Sequence, residues 1–225
     1  MRRTLIGLAG VGLLASAGTA QATGGILGIS GGVNLWYHDA DGEIFSQDVD
    51  DDLGLDSDSD AHLWLQWDHV VPGIPSIRLE RTGLEQSGDG DNAIDLSHTD
   101  LTLFWSPLPL PYVDIDIGLT GRYFDGEINT DPGFDEESLS GVLPMGYGRV
   151  GLDIPGTRFR FEGSIQTLPL GDHEIRDVRM QAIYKWWYAG ATVGYRDFSI
   201  ELDDFSDITL DTDFSGPYAG AFLRF

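Results

Sequence analysis

The sequence contains no cysteine, only 13 lysine and arginine residues against 37 aspartates and glutamates, and no long apolar run beyond residue 17. The absence of cysteine suits a chain exported unfolded through an oxidising periplasm, although it does not distinguish one compartment from another. The net charge of −24 argues against a nucleic-acid partner, because phosphate binding needs clustered lysine and arginine. A transmembrane helix needs about 20 apolar residues, and the chain beyond residue 17 offers no such segment.

The first residues have the organisation of a secretory signal peptide. Met1, Arg2 and Arg3 form a basic start, residues 5–17 are apolar, and Ala20-Gln21-Ala22 has the small-x-small pattern of a signal-peptidase site. The apolar run is too short to remain in a bilayer as a spanning helix. We therefore predict a signal peptide over residues 1–22 and one mature domain over residues 23–225.

Apolar and polar residues alternate through most of the mature chain, as they do in strands with two different faces. The alternation ends at Phe225, an apolar residue at a position where soluble domains usually fray into polar ones. Ten strand-like segments follow from this pattern: residues 26–37, 61–71, 76–85, 93–105, 112–127, 142–154, 157–168, 177–186, 188–202 and a last strand ending at Phe225.

The connections between these segments alternate in kind. Short turns rich in proline, glycine or tryptophan lie near 72–75, 106–111, 155–157 and 186–188, and longer acidic connections near 39–60, 86–92, 128–141, 169–176 and 203–207. Outer-membrane barrels have short periplasmic turns and longer extracellular loops, and an even strand number places both termini on one side. We therefore predict an all-β, antiparallel transmembrane β-barrel in the bacterial outer membrane, with membrane lipid as a partner. Ten strands are favoured over eight or twelve.

Most charged residues of the strands share one face. That face would be the outside of a soluble sandwich, whereas in a membrane barrel it lines the lumen. Phe225 and the aromatic residues near the short turns favour the membrane, because tryptophan and tyrosine concentrate at bilayer interfaces. These aromatic residues are Trp67, Trp105, Trp186, Trp187 and Tyr188.

A ten-stranded lumen is narrow, so opposed basic and acidic side chains would form a paired network that largely fills it. We expect a polar, mostly occluded lumen rather than an open pore. The residues predicted to form the network are Asp68, Arg78, Glu80, Asp100, Asp114, Asp116, Arg122, Arg149, Arg158, Arg160, Glu162, Arg179 and Arg196.

Several motifs resemble a family of small outer-membrane β-barrel proteins of Gram-negative bacteria. They are the stretch Ile94–Leu103, the segment Asp116–Gly126, Leu143-Pro144-Met145 and the closing Gly216–Gly220 with Phe225. The resemblance covers nearly all of the mature chain. It implies a barrel in the outer membrane, and it implies no activity because the family is largely uncharacterised. The length and acidity of the first loop depart from the family pattern, which puts any shared loop ligand in doubt. We expect the closing strand with Phe225 to be read by the barrel-assembly machinery.

One pair of residues suggests a hydrolase. His98 and Asp100 share a face, with Asp95 or Asp203 as further acids near the rim, and a carboxylate–histidine pair can activate water. No second matching pair is evident, so we favour a place for both in the lumen's hydrogen-bond network. We predict that the protein is not an enzyme and has no cofactor.

The first acidic connection is dense in carboxylates, which suit Ca²⁺. Asp56, Asp58 and Asp60 have the spacing of the start of an EF-hand loop, but Ala61 stands where glycine is required and Trp67 where glutamate is required. We therefore predict no defined metal site; weak divalent-cation binding at the acidic loops is the alternative to a solvated, repulsive loop. The carboxylates concerned are Asp48, Asp50, Asp51, Asp52, Asp56, Asp58 and Asp60.

The function predicted from these features is that of an outer-membrane barrel with a structural or surface-interaction role, or with limited passage of small solutes. Two alternatives stay open at this point. One is a membrane-embedded hydrolase that uses rim carboxylates and a histidine, and the other is a soluble periplasmic β-barrel or sandwich that binds a ligand.

Overall fold

The computed structural model describes residues 28–44, 47–48, 58–69, 73–87, 93–108, 110–129, 137–170, 173–205 and 208–225. The predicted signal peptide therefore lies outside the described residues. Within these ranges the chain forms strands only: β1 Gly28–Ile44, β2 Gln47–Asp48, β3 Asp58–Asp68, β4 Ser76–Thr82, β5 Glu85–Ser87, β6 Ala93–Asp95, β7 His98–Trp105, β8 Val113–Asn129, β9 Glu137–Asp153, β10 Phe159–Leu170, β11 His173–Lys185, β12 Ala189–Phe205 and β13 Ile208–Arg224. These ranges contain no helix that is long and apolar enough to cross a membrane.

The strands form one closed sheet. β1 pairs with β3 on one side and with β13 on the other, so the sheet has no free edge along its length. β4 and β5 form one interrupted barrel strand, and β6 and β7 form another. The barrel therefore has ten strands, each antiparallel to both of its neighbours. The predicted ten-stranded antiparallel barrel is confirmed.

The two ends of the barrel differ. We call lower the end that holds the turns between β3 and β4, β7 and β8, β9 and β10, and β11 and β12, together with both Gly28 and Phe225. Phe225 completes this end by exchanging backbone hydrogen bonds with Ile29, at 2.8 and 3.2 Å. The turn Ile154-Pro155-Gly156-Thr157 closes with a 3.1 Å bond from the Thr157 N–H to the Ile154 carbonyl. Its geometry requires a positive φ at the third residue, and Gly156 has a φ of 76°.

The opposite, upper end differs from the sequence prediction. Paired strands occupy much of the predicted acidic loops: β8 continues to Asn129, β10 ends at Leu170 with β11 beginning at His173, and β12 ends at Phe205 with β13 beginning at Ile208. Main-chain hydrogen bonds hold an antiparallel ladder together, so outward carboxylates that face water do not end a strand. The asymmetry between the ends therefore lies as much in strand overhang as in loop length.

Burial inside and outside the barrel is the reverse of that in a soluble protein. Large apolar side chains point outward and are exposed, for example Leu65 at 53% and Leu119 at 66%. Charged side chains point inward and are buried, for example Glu80 at 2%, Arg122 at 0% and Asp177 at 1%. The polar face of the alternating strands is thus the lumen lining.

Candidate functional site: the occluded lumen

Asp177 on β11 is the centre of a buried ion-pair layer. Its carboxylate accepts hydrogen bonds from the Nη2 atoms of Arg122 at 2.9 Å, Arg179 at 3.0 Å and Arg196 at 2.7 Å. Arg122 lies on β8 and reaches across the lumen to Asp177 on β11. It also donates two hydrogen bonds, of 2.8 and 2.7 Å, to the Asp100 carboxylate. Two-pronged arginine–carboxylate pairs of this kind are the strongest hydrogen bonds that side chains form. The layer therefore ties β7, β8, β11 and β12 together through the lumen.

Glu80 on β4 is the second anionic centre of the same layer. One carboxylate oxygen accepts from Arg78 Nη2 at 3.1 Å, Arg179 Nη1 at 2.6 Å and His62 Nε2 at 3.0 Å. The other ring nitrogen of His62, Nδ1, accepts from the Asn34 amide at 3.0 Å, which leaves Nε2 as the protonated nitrogen. Glu80 thus connects β1, β3 and β4 to Arg179 on the far wall.

A second set of ion pairs lies nearer the lower mouth. Arg149 bonds to Asp116 at 2.6 Å, and Arg160 contacts Asp153 at 3.0 Å and Glu162 at 3.3 Å. Lys185 adds a further pair with Asp153, and Arg160 a further pair with Asp114. Exposure increases toward the mouth, since the side chain of Asp114 is 53% exposed while that of Asp116 is 2% exposed.

Above the Asp177 layer the lumen changes from polar to apolar. Phe198, Phe214 and Phe124 are at most 2% exposed, and the Phe198 and Phe214 rings stack with centroids 6.1 Å apart. This set of buried, inward-facing side chains, which we call the apolar plug, fills the lumen above the Asp177 layer within the described part of the chain. Its members are Trp36, Leu84, Leu96, Phe124, Met145, Leu168, Ile175, Phe198, Ile200 and Phe214.

Sequence reasoning missed the plug, although its signal is present. Three plug residues stand two positions from a residue of the ion-pair layer on the same strand: Phe124 from Arg122, Phe198 from Arg196 and Ile175 from Asp177. They share the face of these residues because side chains in a strand alternate with period two. Apolar residues with the parity of the charged row therefore mark the plug.

Below the Asp177 layer the lumen widens into a chamber of about 410 Å³ that opens at the lower end. Aromatic rings lie along its wall, with the Trp64 and Phe222 centroids 6.0 Å apart. Inward glycines leave room for such rings: a Cβ on Gly190 would lie 2.3 Å from the Phe222 ring, and one on Gly194 would lie 2.6 Å from the Tyr218 ring. The chamber is therefore blind above and open below.

All of the residues predicted to form the lumen network line the lumen except one. Arg158 is exposed in the bend that precedes Phe159, outside the strand and outside the residues that line the chamber, so its place in the lumen network stays a prediction. The prediction began β10 at residue 157, two residues before the ladder actually starts. Asp177 was missed because its strand was predicted to begin at that very residue, whereas β11 begins at His173.

His98 and Asp100 do not form a catalytic pair. The Nδ1 of His98 donates to the Leu96 carbonyl at 2.9 Å, and its ring packs against Phe124 and Phe198, both at 5.5 Å between centroids. Asp100 is bound by Arg122 instead. Both side chains are 1% exposed, so neither has the access to water that hydrolysis requires.

His98, Asp100 and Asp177 also lie close enough to one another to share an ion, with ligand atoms within 4.8 Å. The space between them is taken by guanidinium groups, because Arg122 bonds to both carboxylates. Asp50, Asp51, Asp52 and Asp56 of the acidic loop lie outside the described residues, so cation binding there stays a prediction.

Carboxylates also gather on the outer wall of the strand overhang, above the exposed apolar side chains. Asp211 and Asp213 on β13 are exposed there, and Asp197 on the neighbouring β12 pairs with Arg176. Partial burial, together with the negative charges of Asp197 and Asp211, raises the pKa of the Asp213 carboxyl. This mutual repulsion destabilises the overhang at neutral pH and weakens as the pH falls through that pKa.

No protein-family model matches the chain, and no curated protein matches it either. Among solved structures it is similar to Neisserial surface protein A, with 10% identity, a TM-score of 0.39, and coverage of 88% of this chain and 97% of that one. It is also similar to the outer membrane protein OprG from Pseudomonas aeruginosa, with 14% identity, a TM-score of 0.29, and coverage of 88% and 95%. A third, outer membrane protein AlkL, has 11% identity, a TM-score of 0.38, and coverage of 94% and 97%.

Replacing Asp177 with alanine is expected to lower the free energy of unfolding by about 3–5 kcal/mol, because three buried guanidiniums lose a shared carboxylate. The measurement is urea unfolding of the barrel in detergent or lipid. Asp197→Ala is the matched control: its pair with Arg176 is 42–46% exposed, and a surface pair is worth about 0–1 kcal/mol. Equal losses in the two variants would contradict the central place of Asp177.

Proposed function

We propose that the protein is a sealed outer-membrane β-barrel whose role is structural or concerned with surface interactions. The observation that carries this proposal is the reversed burial, with exposed apolar side chains around the wall and buried charges inside. A protein surrounded by water rarely exposes a contiguous apolar patch of more than a few hundred Å². A surface of this kind suits hydrocarbon, as in barrels whose outward face is an apolar band.

The height of the apolar wall supports a membrane location. On β8 the outward row runs from Val113 through Ile117 and Leu119 to Tyr123, a distance of ten residue steps. At about 3.3 Å per residue and a tilt of about 40°, this row spans about 25 Å, which is the height of the apolar band in outer-membrane barrels. Exposed Trp186 and Trp187 lie at the lower limit of the wall, where interfacial aromatics are expected.

The lower end then faces the periplasm, where both termini of an even-stranded barrel lie. This orientation agrees with export by a signal peptide and with recognition of the closing strand by the assembly machinery. It also places the acidic overhang outside the cell. Water solvates the carboxylates there and weakens the repulsion between their charges.

The lumen geometry favours a sealed barrel over a pore. A solute that enters the chamber meets the Asp177 layer and then the plug, whose residues are buried and pack against one another. Limited passage of small solutes would require both layers to open. The hydrolase alternative is disfavoured because His98 and Asp100 are committed to other partners, and the soluble alternative because Leu65 and Leu119 are exposed.

The sealed state predicts no discrete conductance steps when the purified barrel is inserted into planar lipid bilayers, since no water-filled path joins the two sides. The measurement needs a positive control, for which a water-filled porin in the same bilayers serves. Reproducible single-channel steps from the protein would refute the seal.

The membrane location predicts the cost of placing a charge on the outer wall. Leu119→Arg is expected to lower the free energy of unfolding in lipid vesicles by about 2–4 kcal/mol, the cost of an arginine near the bilayer midplane. The matched control is Asp211→Arg, which places the same residue on the outward face above the apolar wall, where a change of at most about 1 kcal/mol is expected. If both variants kept the parent's stability in lipid, the wall would not face hydrocarbon.

A further inference from the structure

The lumen charges are unevenly shared between the blind end of the chamber and its mouth. The buried layer holds four arginines, Arg78, Arg122, Arg179 and Arg196, against three carboxylates, those of Glu80, Asp100 and Asp177. Arg122 pairs with Asp100, Arg196 with Asp177 and Arg179 with Glu80. Within the layer, Arg78 pairs only with Glu80, which it shares with Arg179. Arg78 is therefore the arginine of the layer that has no carboxylate to itself, and it lines the chamber together with Glu162.

Arg78 faces a second arginine across a neutral group. The Oε1 of Gln66 accepts from Arg78 Nη1 at 3.1 Å and from Arg149 Nη1 at 3.0 Å, so these two nitrogens are no more than about 6 Å apart. Arg78 has five N–H groups, and within the described part of the chain only two of its bonds go to protein acceptors. Two guanidiniums that converge on an amide oxygen, with N–H groups to spare, form a cleft for a carboxylate.

Both guanidiniums are held in place from behind by aromatic rings. The Arg78 guanidinium carbon lies 4.7 Å from the Trp64 ring centroid, and that of Arg149 lies 5.0 Å from the Phe104 centroid. Stacking of this kind restricts the orientation of the planar groups. The cleft is therefore organised before a ligand arrives, which lowers the entropic cost of binding.

The other end of Gln66 has the opposite polarity. Its Nε2 donates to Asp68 Oδ1 at 2.6 Å, and Asp68 forms no ion pair with a lysine or arginine in the described ranges. Along the amide of one glutamine the chamber thus offers two guanidiniums at one side, of which that of Arg149 also pairs with Asp116, and at the other side the Asp68 carboxylate. An α-amino acid carries its carboxylate and ammonium side by side and matches this arrangement.

We propose that the chamber binds a small amino-acid zwitterion. Its carboxylate is held by Arg78 and Arg149, its ammonium group by Asp68, and its side chain lies against the ring of Trp64 or Phe222. The chamber volume of about 410 Å³ and its opening at the lower end give such a solute room and a route of entry. The ligand exchanges with the periplasm in the orientation proposed above, while the binding geometry itself does not depend on that orientation.

The test is calorimetric titration of the folded, detergent-solubilised barrel with three compounds. L-phenylalanine is expected to bind saturably, and L-phenylalaninamide, which lacks the carboxylate, and N-acetyl-L-phenylalanine, which lacks the ammonium, are each expected to bind at least about tenfold more weakly, the effect of losing a charge-assisted hydrogen bond. Saturable binding of the N-acetyl compound as tightly as the free amino acid would remove Asp68 from the proposal. No saturable binding of L-phenylalanine would overturn it.

Variants assign the site. Arg78→Gln and Arg149→Gln are each expected to weaken L-phenylalanine binding at least about tenfold. Arg81→Gln, on the same strand, is the control, because Arg81 points outward and pairs with Asp125; it is expected to bind like the parent.

Retention of the gel shift between unheated and boiled samples checks that each variant is folded, and the three-compound comparison does not depend on any variant. Unchanged binding in both Arg78→Gln and Arg149→Gln would place the ligand elsewhere. Because the titration does not measure conductance, its failure would leave the sealed-barrel proposal standing.

Discussion

The carboxylate of Asp177, held by arginines from β8, β11 and β12, is the interaction on which the arrangement of the lumen depends. Transferring any one of these charges out of water is strongly unfavourable, and only close pairing with good geometry offsets that penalty. The strand registers must therefore bring these groups to the same level of the barrel. The pairings Asp100↔Arg122 and Arg179↔Arg196 on adjacent strands show how the ladder registers deliver these groups to one level.

The apolar plug and the ion-pair layer support each other. The plug keeps water away from the upper side of the layer, and a lower local dielectric constant strengthens the attraction between the paired charges. The layer in turn supplies cations that pack on the plug's rings: the Arg196 guanidinium lies 4.5 Å from the Trp36 centroid and that of Arg122 lies 5.2 Å from the Phe198 centroid. Within the described residues, side-chain exposure is thus low at and above Asp177 and increases below it, to 53% at Asp114.

The division of residues between wall and lumen was predictable from the sequence because side-chain parity is fixed by strand geometry. Arg122 and Leu119 differ in parity, and this alone places one inside and the other outside. Strand ends were harder to predict, because main-chain pairing continues wherever the backbone allows it: the predicted strand began at residue 157, whereas β10 begins at Phe159 and Arg158 lies in the bend before it. The plug was missed for a different reason, since only the charged residues of the inward face were considered, and apolar residues of the same parity, such as Phe124, were not. The convergence of Arg78 and Arg149 on Gln66 joins residues 83 positions apart, and no local pattern encodes it.

The sharing of Glu80 between Arg78 and Arg179 explains how a ligand would occupy the chamber without opening the seal. When a carboxylate engages Arg78, Glu80 retains Arg179 and His62 as donors, so no buried carboxylate is left without a partner. The same engagement at Arg122 would be different, because Asp100 and Asp177 both depend on it. The network is therefore rigid toward the plug, where each charge is needed by its neighbours, and tolerant toward the chamber, where Arg78 shares its carboxylate with a second arginine. A blind lumen of this kind allows binding from the lower side while the upper side stays closed.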